Sequence, residues 1–261
     1  MQIMIINNRE IYDQSWTEWR DMKIYGAASR WLRRLILLQI DTLLKRRHEP
    51  ITSVLDVGCG EGTITYFMAK QLAAAKVIGI DFSNTGIHCA KQSYSLANLE
   101  FIFDPSSCYL DGIYDLVTAF EVLEHVDDWQ KFLVRISAAS RKFLLLSFPT
   151  GRMRAFEVRV GHYRNYGKGQ IEAFLDAKGF VPVKIFYAGF PFYSPLYREF
   201  CNLTDVASNS FTKGKYSWKQ KTVGWIAYLF FYFLSTRSHL GDQFCGLFVR
   251  KASVDSGSGR P

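Results

Sequence analysis

The stretch VLDVGCGEGTIT, Val54 to Thr65, decides the fold of this 261-residue chain. It starts with an apolar run, places glycines at positions 58, 60 and 62, and becomes apolar again after Thr63. A short apolar run bounded by glycines predicts a buried strand, and the residues after the last glycine predict a helix. Glycines between a strand and a helix let a ligand approach the bare backbone. The sequence therefore predicts a ligand site at this turn.

The acids around the turn narrow the choice of ligand. The dinucleotide fingerprint GxGxxG would need a glycine where Thr63 stands, and the Gly-Lys-Ser/Thr ending of a phosphate-binding loop is absent. Asp56 and Glu61 would repel a pyrophosphate at short range. The same carboxylates favour a cation, and S-adenosylmethionine carries a sulfonium and an ammonium group. Charge therefore favours S-adenosylmethionine over a dinucleotide.

Strands and helices alternate along the chain. Apolar strands without polar interruptions indicate a mostly parallel sheet covered on both faces, which is an α/β fold. We predict strands at 53–58, 76–81, 99–104, 114–120, 142–149, 180–190 and 243–252. The helical patterns lie at 27–47, 63–74, 84–97, 127–140 and 168–179.

Two further acids close predicted strands. Asp81 ends the second strand, where a carboxylate can accept both ribose hydroxyls of a nucleoside, and Phe82 beside it can stack on adenine. Asp104 ends the third strand and is placed to accept a hydrogen bond from the adenine amine. An aspartate also often ends a strand simply because it starts a turn. The row of acids next to the glycine turn is more specific than any one of them.

These residues carry a family resemblance. VLDVGCGEGTIT, VIGID and YDLVTAFEVLEHVDD resemble the class I S-adenosylmethionine-dependent methyltransferases, and the EVLEHV run is similar to the ubiquinone-biosynthesis O-methyltransferases. The resemblance implies a Rossmann-like seven-stranded sheet whose last strand, 243–252, is antiparallel. It also implies a cofactor-binding set comprising Asp56, Gly58, Cys59, Gly60, Gly62, Asp81, Phe82, Ser83, Asp104 and Glu121.

The residues expected to act on the methyl acceptor follow the fourth and fifth strands. A general base is needed if the acceptor is a hydroxyl, and His125 is the first candidate, with His162 the second. His125 has an alternative role as a helix-entry residue that positions Glu121. The spacing of Glu121, Glu124 and His125 also allows a divalent metal, but acids at helix starts commonly serve the helix dipole, so we expect no metal site.

The acceptor side is expected to include an insertion and two helical segments. In the insertion, GHYRNYG offers Tyr163, Arg164 and Tyr166, which either contact the acceptor or hold a solvated basic loop. Tyr25 and Arg30 belong to the predicted cap at 1–49. We expect an α/β core at 50–188 and 242–252, substrate-side insertions at 150–167 and 189–241, and a flexible tail at 253–261.

Composition bears on location and partners. The net charge is +8, and basic, aromatic segments around 27–47 and 213–234 suggest peripheral contact with an anionic bilayer, unless both segments simply pack on the core. The apolar run at 222–236 is shorter than a spanning helix requires. Five scattered cysteines and an N-terminus without an apolar leader segment favour a reducing, cytoplasmic compartment.

Three functions are consistent with these patterns. The first is methylation of a small molecule or lipid-linked acceptor, with oxygen as the expected acceptor atom. The second is a binding scaffold that keeps the cofactor pocket but transfers no methyl group. The third is a nicotinamide-dependent oxidoreductase, which Thr63 and Asp56 oppose. The run AFEVLEH stands where nucleic-acid amino methyltransferases carry an Asn/Asp-Pro-Pro-aromatic motif, so we expect no sequence-specific nucleic-acid partner.

Overall fold

A seven-stranded sheet holds the strand before the glycine turn in its interior, between two other strands. This computed structural model describes residues 13, 16, 18–46, 50–204, 213–237 and 239–251. The sheet order is β3-β2-β1-β4-β5-β7-β6. Its strands are Ser53–Val57 (β1), Lys76–Asp81 (β2), Leu99–Phe103 (β3), Tyr114–Phe120 (β4), Ser140–Pro149 (β5), Phe180–Ala188 (β6) and Gln243–Arg250 (β7). The tail predicted at 253–261 lies outside the described residues.

The directions of the strands confirm the predicted fold class. The pairings among β1, β2, β3, β4 and β5 are parallel, and β7 runs antiparallel to both of its neighbours, β5 and β6. The strand β1 pairs with β2 on one side and β4 on the other, so the chain reverses its direction of travel across the sheet there. Open α/β sheets bind ligands at such a switch point.

Helices cover both faces of the sheet. They are Arg20–Tyr25 (α1), Ala27–Leu44 (α2), Thr63–Gln71 (α3), Asn84–Ser93 (α4), Trp129–Ala139 (α5), Ala155–Arg159 (α6), Gln170–Ala177 (α7), Arg198–Thr204 (α8) and Trp218–Leu234 (α9). Buried residues of α2, α3 and α9 form one apolar core with the sheet. Those of α5 and α7 form the core on the other face.

Several helices are shorter than the sequence predicts. The helices predicted at 63–74 and 84–97 end at Gln71 and Ser93, because Leu72 and Tyr94 leave helical backbone angles. The helix predicted at 27–47 ends at Leu44, and Arg47 lies outside the described residues. These differences lie at element ends and do not alter the order of the elements.

The helix α2 is attached to the far edge of the sheet. Trp31, Leu35 and Ile36 are fully buried against the core. The buried Gln39 side chain donates from Nε2 to the carbonyl oxygens of Lys184 in β6 and Cys245 in β7, at 3.1 and 2.9 Å. The cap helix is therefore an integral layer of the domain. Across the described part of the chain, no helix has the length and apolarity that crossing a membrane would require.

Candidate cofactor site

The glycine turn after β1 has a left-handed backbone conformation that residues with a side chain rarely adopt. Gly58, Gly60 and Gly62 have φ angles of +74°, +55° and +81°. A Cβ atom on Gly58 would lie 2.5 Å from Cγ2 of Val122, in the segment after β4. The backbone N–H groups of Gly58 and Cys59 donate to the carbonyl of Ile80 at 2.8 and 3.0 Å. The turn is thus fixed between the ends of β2 and β4.

Asp81 holds the middle of this turn. Its Oδ2 accepts from the backbone N–H of Gly60 and its Oδ1 from that of Ser83, both at 2.8 Å. Burial raises the pKa of Asp81, while the hydrogen bonds from Ser83 and Gly60 oppose that rise. Each carboxylate oxygen accepts more than one hydrogen bond. Asp81 can therefore shape the turn and still accept the hydroxyl groups of a bound ribose.

The other two aspartates of the row accept hydrogen bonds from groups of the protein itself. Asp56 accepts from the hydroxyls of Thr65 and Thr118, each at 2.6 Å, which joins β1 to α3 and β4. Burial raises the pKa of Asp56 to about 6. Asp104 accepts from the backbone N–H groups of Cys108 and Tyr109, at 3.0 and 2.9 Å, as a turn-starting aspartate does. Their direct contact with a ligand stays a prediction, as does that of the half-buried Phe82.

A half-buried lysine lies near the same carboxylates, and sequence reasoning missed it. The Nζ atom of Lys23 lies 3.1 Å from the ring centroid of Trp16. Burial lowers the pKa of Lys23 to about 8, while Glu61 and Asp81 act electrostatically in the opposite direction. Nothing in the spacing of Lys23 from the glycine turn signals this proximity. The site therefore already accommodates one cation beside its carboxylates.

The two predicted catalytic histidines lie together. The rings of His125 and His162 are 4.6 Å apart and nearly perpendicular. His125 Nδ1 lies 3.0 Å from the carbonyl oxygen of Gly161. Because a carbonyl only accepts, Nδ1 carries the hydrogen and Nε2 keeps its lone pair. Burial lowers the pKa of His125 to about 3 and that of His162 to about 4, so both rings are neutral at pH 7.

Glu124 is the carboxyl group beside this pair. Both of its oxygens are buried and accept no hydrogen bond, and Oε1 lies 4.0 Å from His125 Nε2. Burial raises the pKa of Glu124 well above its usual value. One ligand atom from each of Glu124, His125 and His162 falls within 4.8 Å of the others.

Glu121 does not join that cluster. Its carboxylate accepts from the hydroxyl of Ser147 and from Nε2 of Gln243, both at 2.9 Å. Burial raises the pKa of Glu121 to about 7. Its backbone φ of +54° is uncommon for a residue with a side chain. The metal alternative considered from the sequence is therefore corrected, because His162 and not Glu121 completes the set.

The insertion loop after β5 is bound to the segment after β4. The buried Tyr166 hydroxyl donates to the carbonyl of Leu123 at 2.7 Å, and the backbone N–H of Tyr163 donates to that of Glu124 at 2.8 Å. Arg164 donates to the carbonyl of Asp127 at 2.6 Å. Tyr166 and Arg164 thus hold the loop over the histidines, and their contact with an acceptor stays a prediction.

Tyr25 and Arg30 lie where α1, α2 and α9 meet. Arg30 Nε donates to the carbonyl of Tyr25 at 3.0 Å, and Lys221 Nζ lies 4.1 Å from the Tyr25 ring centroid. These contacts place both residues against α9. They are not among the groups that hold the glycine turn.

Val122 links the glycine turn to the segment that carries His125. Gly58 packs against Val122, which precedes the short turn Leu123–His125. Lys23, on which Glu61 and Asp81 act, also lowers the pKa of His125. The turn after β1 and the histidine pair after β4 therefore lie at the same end of two adjacent parallel strands.

A family model described as a methyltransferase domain matches residues 28–184 of this chain. The match covers more than half of the sequence and contains the glycine turn, the row of acids and both histidines. The chain belongs to the methyltransferase domain family. The family resemblance stated from the sequence motifs is thereby confirmed.

Several methyltransferases are similar to this one in sequence. It is 33% identical over 105 residues to norajmaline N-methyltransferase of Rauvolfia serpentina, covering 37% of this chain and 36% of that protein. It is 35% identical over 121 residues to ubiquinone biosynthesis O-methyltransferase of Vibrio campbellii, covering 41% and 51%. The chain spans about half or less of the length of these curated relatives.

Solved methyltransferases share the fold. Magnesium protoporphyrin IX methyltransferase of Synechocystis PCC 6803, with bound S-adenosylmethionine, aligns with a TM-score of 0.57 at 18% identity and covers 94% of this chain and 97% of its own. The plantazolicin methyltransferase BpumL in complex with S-adenosylhomocysteine and a triazolic desmethylPZN analogue aligns with a TM-score of 0.51 at 17% identity, covering 96% of this chain and 100% of its own.

Proposed function

We propose that this methyltransferase transfers the methyl group of S-adenosylmethionine to an oxygen atom of a small-molecule acceptor. The observation that carries the proposal is the glycine turn bound to Asp81, because it combines left-handed glycine backbone with a buried carboxylate. The Trp16 ring packs against Gly60 at this turn. Glu61, which accepts from the Thr63 hydroxyl at 2.6 Å, adds a second buried carboxylate at the same turn. Such a site suits a ligand with a sulfonium, an ammonium and a ribose.

Methyl transfer requires the protein mainly to align the acceptor with the methyl group and to exclude water. The acceptor oxygen attacks the methyl carbon as the bond between that carbon and sulfur breaks. Sulfur keeps the electron pair and becomes a neutral thioether, and the acceptor oxygen loses its proton to His125 Nε2. The hydrogen-bonded Nδ1 of His125 leaves Nε2 with the lone pair. Burial, which lowers the pKa of His125 to about 3, makes the ring a weak base, and it can take this proton because the oxygen becomes strongly acidic as it bonds to the methyl carbon.

The test follows a labelled methyl group from S-adenosylmethionine into panels of phenols, carboxylic acids and amines. The wild type should label a hydroxyl or carboxyl acceptor, and Asp81→Ala should lose transfer through a large rise in the KM for S-adenosylmethionine. His125→Asn should lower kcat for an oxygen acceptor. A control variant, Asp111→Ala, changes an exposed carboxylate that pairs with Arg135 and should behave as the wild type. Labelling of amines alone would contradict the oxygen assignment.

A lipid-linked acceptor is a narrower form of the same proposal. Its support is the apolar surface that α9 exposes beside the cap, where Trp218 and Phe233 are 72% and 71% exposed. Extraction of the labelled product with organic solvent checks it. Label that partitions into the organic phase supports a lipid-linked acceptor, and label that stays in water contradicts one.

A divalent cation is the second candidate for the group that promotes loss of the acceptor's proton. Glu124, His125 and His162 would hold it, and the two buried oxygens of Glu124 without hydrogen-bond partners favour that arrangement. When bound, such an ion would lower the pKa of an acceptor hydroxyl. Calorimetric titration with Mg²⁺ and Zn²⁺ distinguishes the two arrangements. Binding that Glu124→Gln abolishes supports the ion, and no binding leaves His125 as the base.

A further inference from the structure

The outer face of α9 is apolar although it is exposed. Five of its large exposed apolar side chains, called here the α9 face, are Trp218, Trp225, Ile226, Phe230 and Phe233, and each is at least 48% exposed. The opposite side of the helix is also apolar, since Phe231 is 5% exposed and belongs to the core. A surface helix normally shows a polar outer side. An exposed apolar surface of this kind marks an interaction site.

The charged residues of the segment that carries the α9 face are all basic, and one of them, Lys213, pairs with Glu18 at 2.8 Å. Residues 213–237 contain five basic residues and no aspartate or glutamate; the basic ones are Lys213, Lys215, Lys219, Lys221 and Arg237. An occupant that combines negative charge with apolar groups would match this surface.

A cavity with three arginines adjoins the same helix. It has a volume of about 250 Å³, and its lining, called here the arginine cavity, is Arg30, Arg33, Arg34, Leu37, Leu38, Asp41 and Tyr228. Tyr228 and Tyr232 share one stripe of α9 with Trp225, because three or four residues separate successive members. The Arg34 guanidinium lies 3.9 Å from the Tyr232 ring centroid. The cavity therefore borders the α9 face.

The arginines of the cavity carry more positive charge than the carboxylates near them balance, although Glu61 acts electrostatically on Arg33. Among the described residues, no carboxylate forms an ion pair with Arg30, Arg33 or Arg34. Arg33 donates to the carbonyl of Ile24 at 3.3 Å, and the buried Nε of Arg34 has no hydrogen-bond partner. Burial lowers the pKa of Arg33, and the charge of Arg30 lowers it further. Asp41, at the cavity wall, accepts instead from Gln71 at 3.2 Å.

We propose that the α9 face docks on an anionic lipid bilayer and that the arginine cavity binds the phosphate of a lipid headgroup. Arginine matches phosphate oxygens through paired N–H groups, and several arginines around one phosphate reinforce that match. Aromatic residues suit the interface between headgroups and acyl chains, where α9 would lie along the surface. The proposal goes beyond methyl transfer and does not depend on it.

A lipid phosphate fits better than a soluble phosphate or a second copy of the chain. A soluble anion would leave the α9 face exposed to water. A second copy carries the same net charge of +8 and would bring its own lysines against this surface. A bilayer would cover the α9 face with its acyl chains and would also supply a phosphate to the arginine cavity.

Flotation with vesicles tests the proposal. One set contains phosphatidylcholine alone, and the other contains phosphatidylcholine with phosphatidylglycerol. The wild type should float with the anionic set and partition at least about tenfold less into the neutral set. The double variants Ile226→Ser/Phe233→Ser and Arg33→Gln/Arg34→Gln should each lose roughly tenfold of the anionic partition.

Matched controls make the same changes elsewhere. Ile113→Ser/Val134→Ser replaces exposed apolar residues away from α9, and Lys91→Gln/Lys131→Gln removes two exposed charges. Both should float as the wild type does. Equal losses in the controls, or a wild type that ignores both vesicle sets at low salt, would overturn the proposal. Calorimetric binding of inorganic phosphate without any vesicle binding, or dimerisation abolished by Ile226→Ser/Phe233→Ser, would overturn it too.

A second measurement needs no variant. Lipids with brominated acyl chains quench tryptophans that reach the hydrocarbon boundary. Anionic vesicles containing them should quench the fluorescence of the wild-type protein, because Trp218 and Trp225 lie on the α9 face. Vesicle binding without any quenching would show attachment through charge alone and would contradict docking by this face.

Discussion

At the residue scale, two neighbouring side chains set the charge at the cofactor site. Asp81 anchors the turn through Gly60, and its position at the end of β2 was predictable from the sequence. Lys23 was not, because nothing in a sequence shows that a helix residue far from the turn folds back over it. The local motif is visible in the chain, whereas the partner that balances its charge is set by tertiary packing.

Lys23→Gln should change the preference between two forms of the cofactor. The sulfonium of S-adenosylmethionine is repelled by the Lys23 ammonium, whereas the neutral thioether of S-adenosylhomocysteine is not. A repulsion of ~1.4 kcal/mol between the two unit charges would correspond to a tenfold change in affinity. Calorimetry should therefore show that the affinity of Lys23→Gln for S-adenosylmethionine rises roughly tenfold relative to its affinity for S-adenosylhomocysteine. Equal losses for both would show instead that Lys23 binds the part they share.

Gly58→Ala should separate backbone strain from steric conflict. A left-handed φ costs alanine ~1–2 kcal/mol, and the new Cβ would also meet Val122 at 2.5 Å. Gly179→Ala is the matched control, because Gly179 has a φ of +83° and nothing within 4 Å of a Cβ. Both variants should unfold at lower denaturant concentration, and Gly58→Ala should also lose cofactor binding. Intact binding by Gly58→Ala would mean that the turn tolerates displacement.

At the element scale, the alternation of strands and helices predicted the sheet and its switch point. What the sequence could not give was how elements far apart in the chain are joined. Asp115 of β4 illustrates this, since it accepts from the Thr52 hydroxyl at 2.7 Å and from Arg141 at 2.6 Å. One buried carboxylate thus connects the start of β1 with β4 and β5.

Asp115→Asn should remove part of the protein's sensitivity to acid. Burial alone would raise the pKa of Asp115, but hydrogen bonds from Thr52 and the charges of Arg141 and Lys142 hold it well below its usual value. A lowered folded-state pKa stabilises the protein above pH ~4, and that stability is lost as the pH falls further.

Urea unfolding at pH 7 and pH 3 measures this effect. Asp115→Asn should lower the free energy of unfolding by about 2 kcal/mol at pH 7. The decrease should be smaller at pH 3, because the carboxylate of Asp115 stabilises the wild-type protein less there. Asp176→Asn is the control, because Asp176 pairs with Lys251 on the exposed surface and should have almost no effect. An equal cost of Asp115→Asn at both pH values would contradict the assignment.

At the scale of the whole molecule, the cofactor half was more predictable than the acceptor half. The motifs between 54 and 125 were recognisable because one turn and the ends of successive strands set the number of residues between them. The acceptor side depends on how the loop around Tyr166, the cap and α9 pack, and no periodicity encodes that. The two histidines, predicted separately, adjoin because Tyr166 binds the loop to Leu123.

The central claim is that the cleft binds S-adenosylmethionine, and calorimetric titration of the wild-type protein tests it most directly. S-adenosylmethionine and S-adenosylhomocysteine should each bind at one site per chain, Asp81→Ala should weaken both at least about tenfold, and NADH should not compete. About 1.4 kcal/mol for one lost hydrogen-bond acceptor corresponds to that factor. Binding of NADH, with neither S-adenosylmethionine nor its product bound at millimolar concentration, would contradict the account.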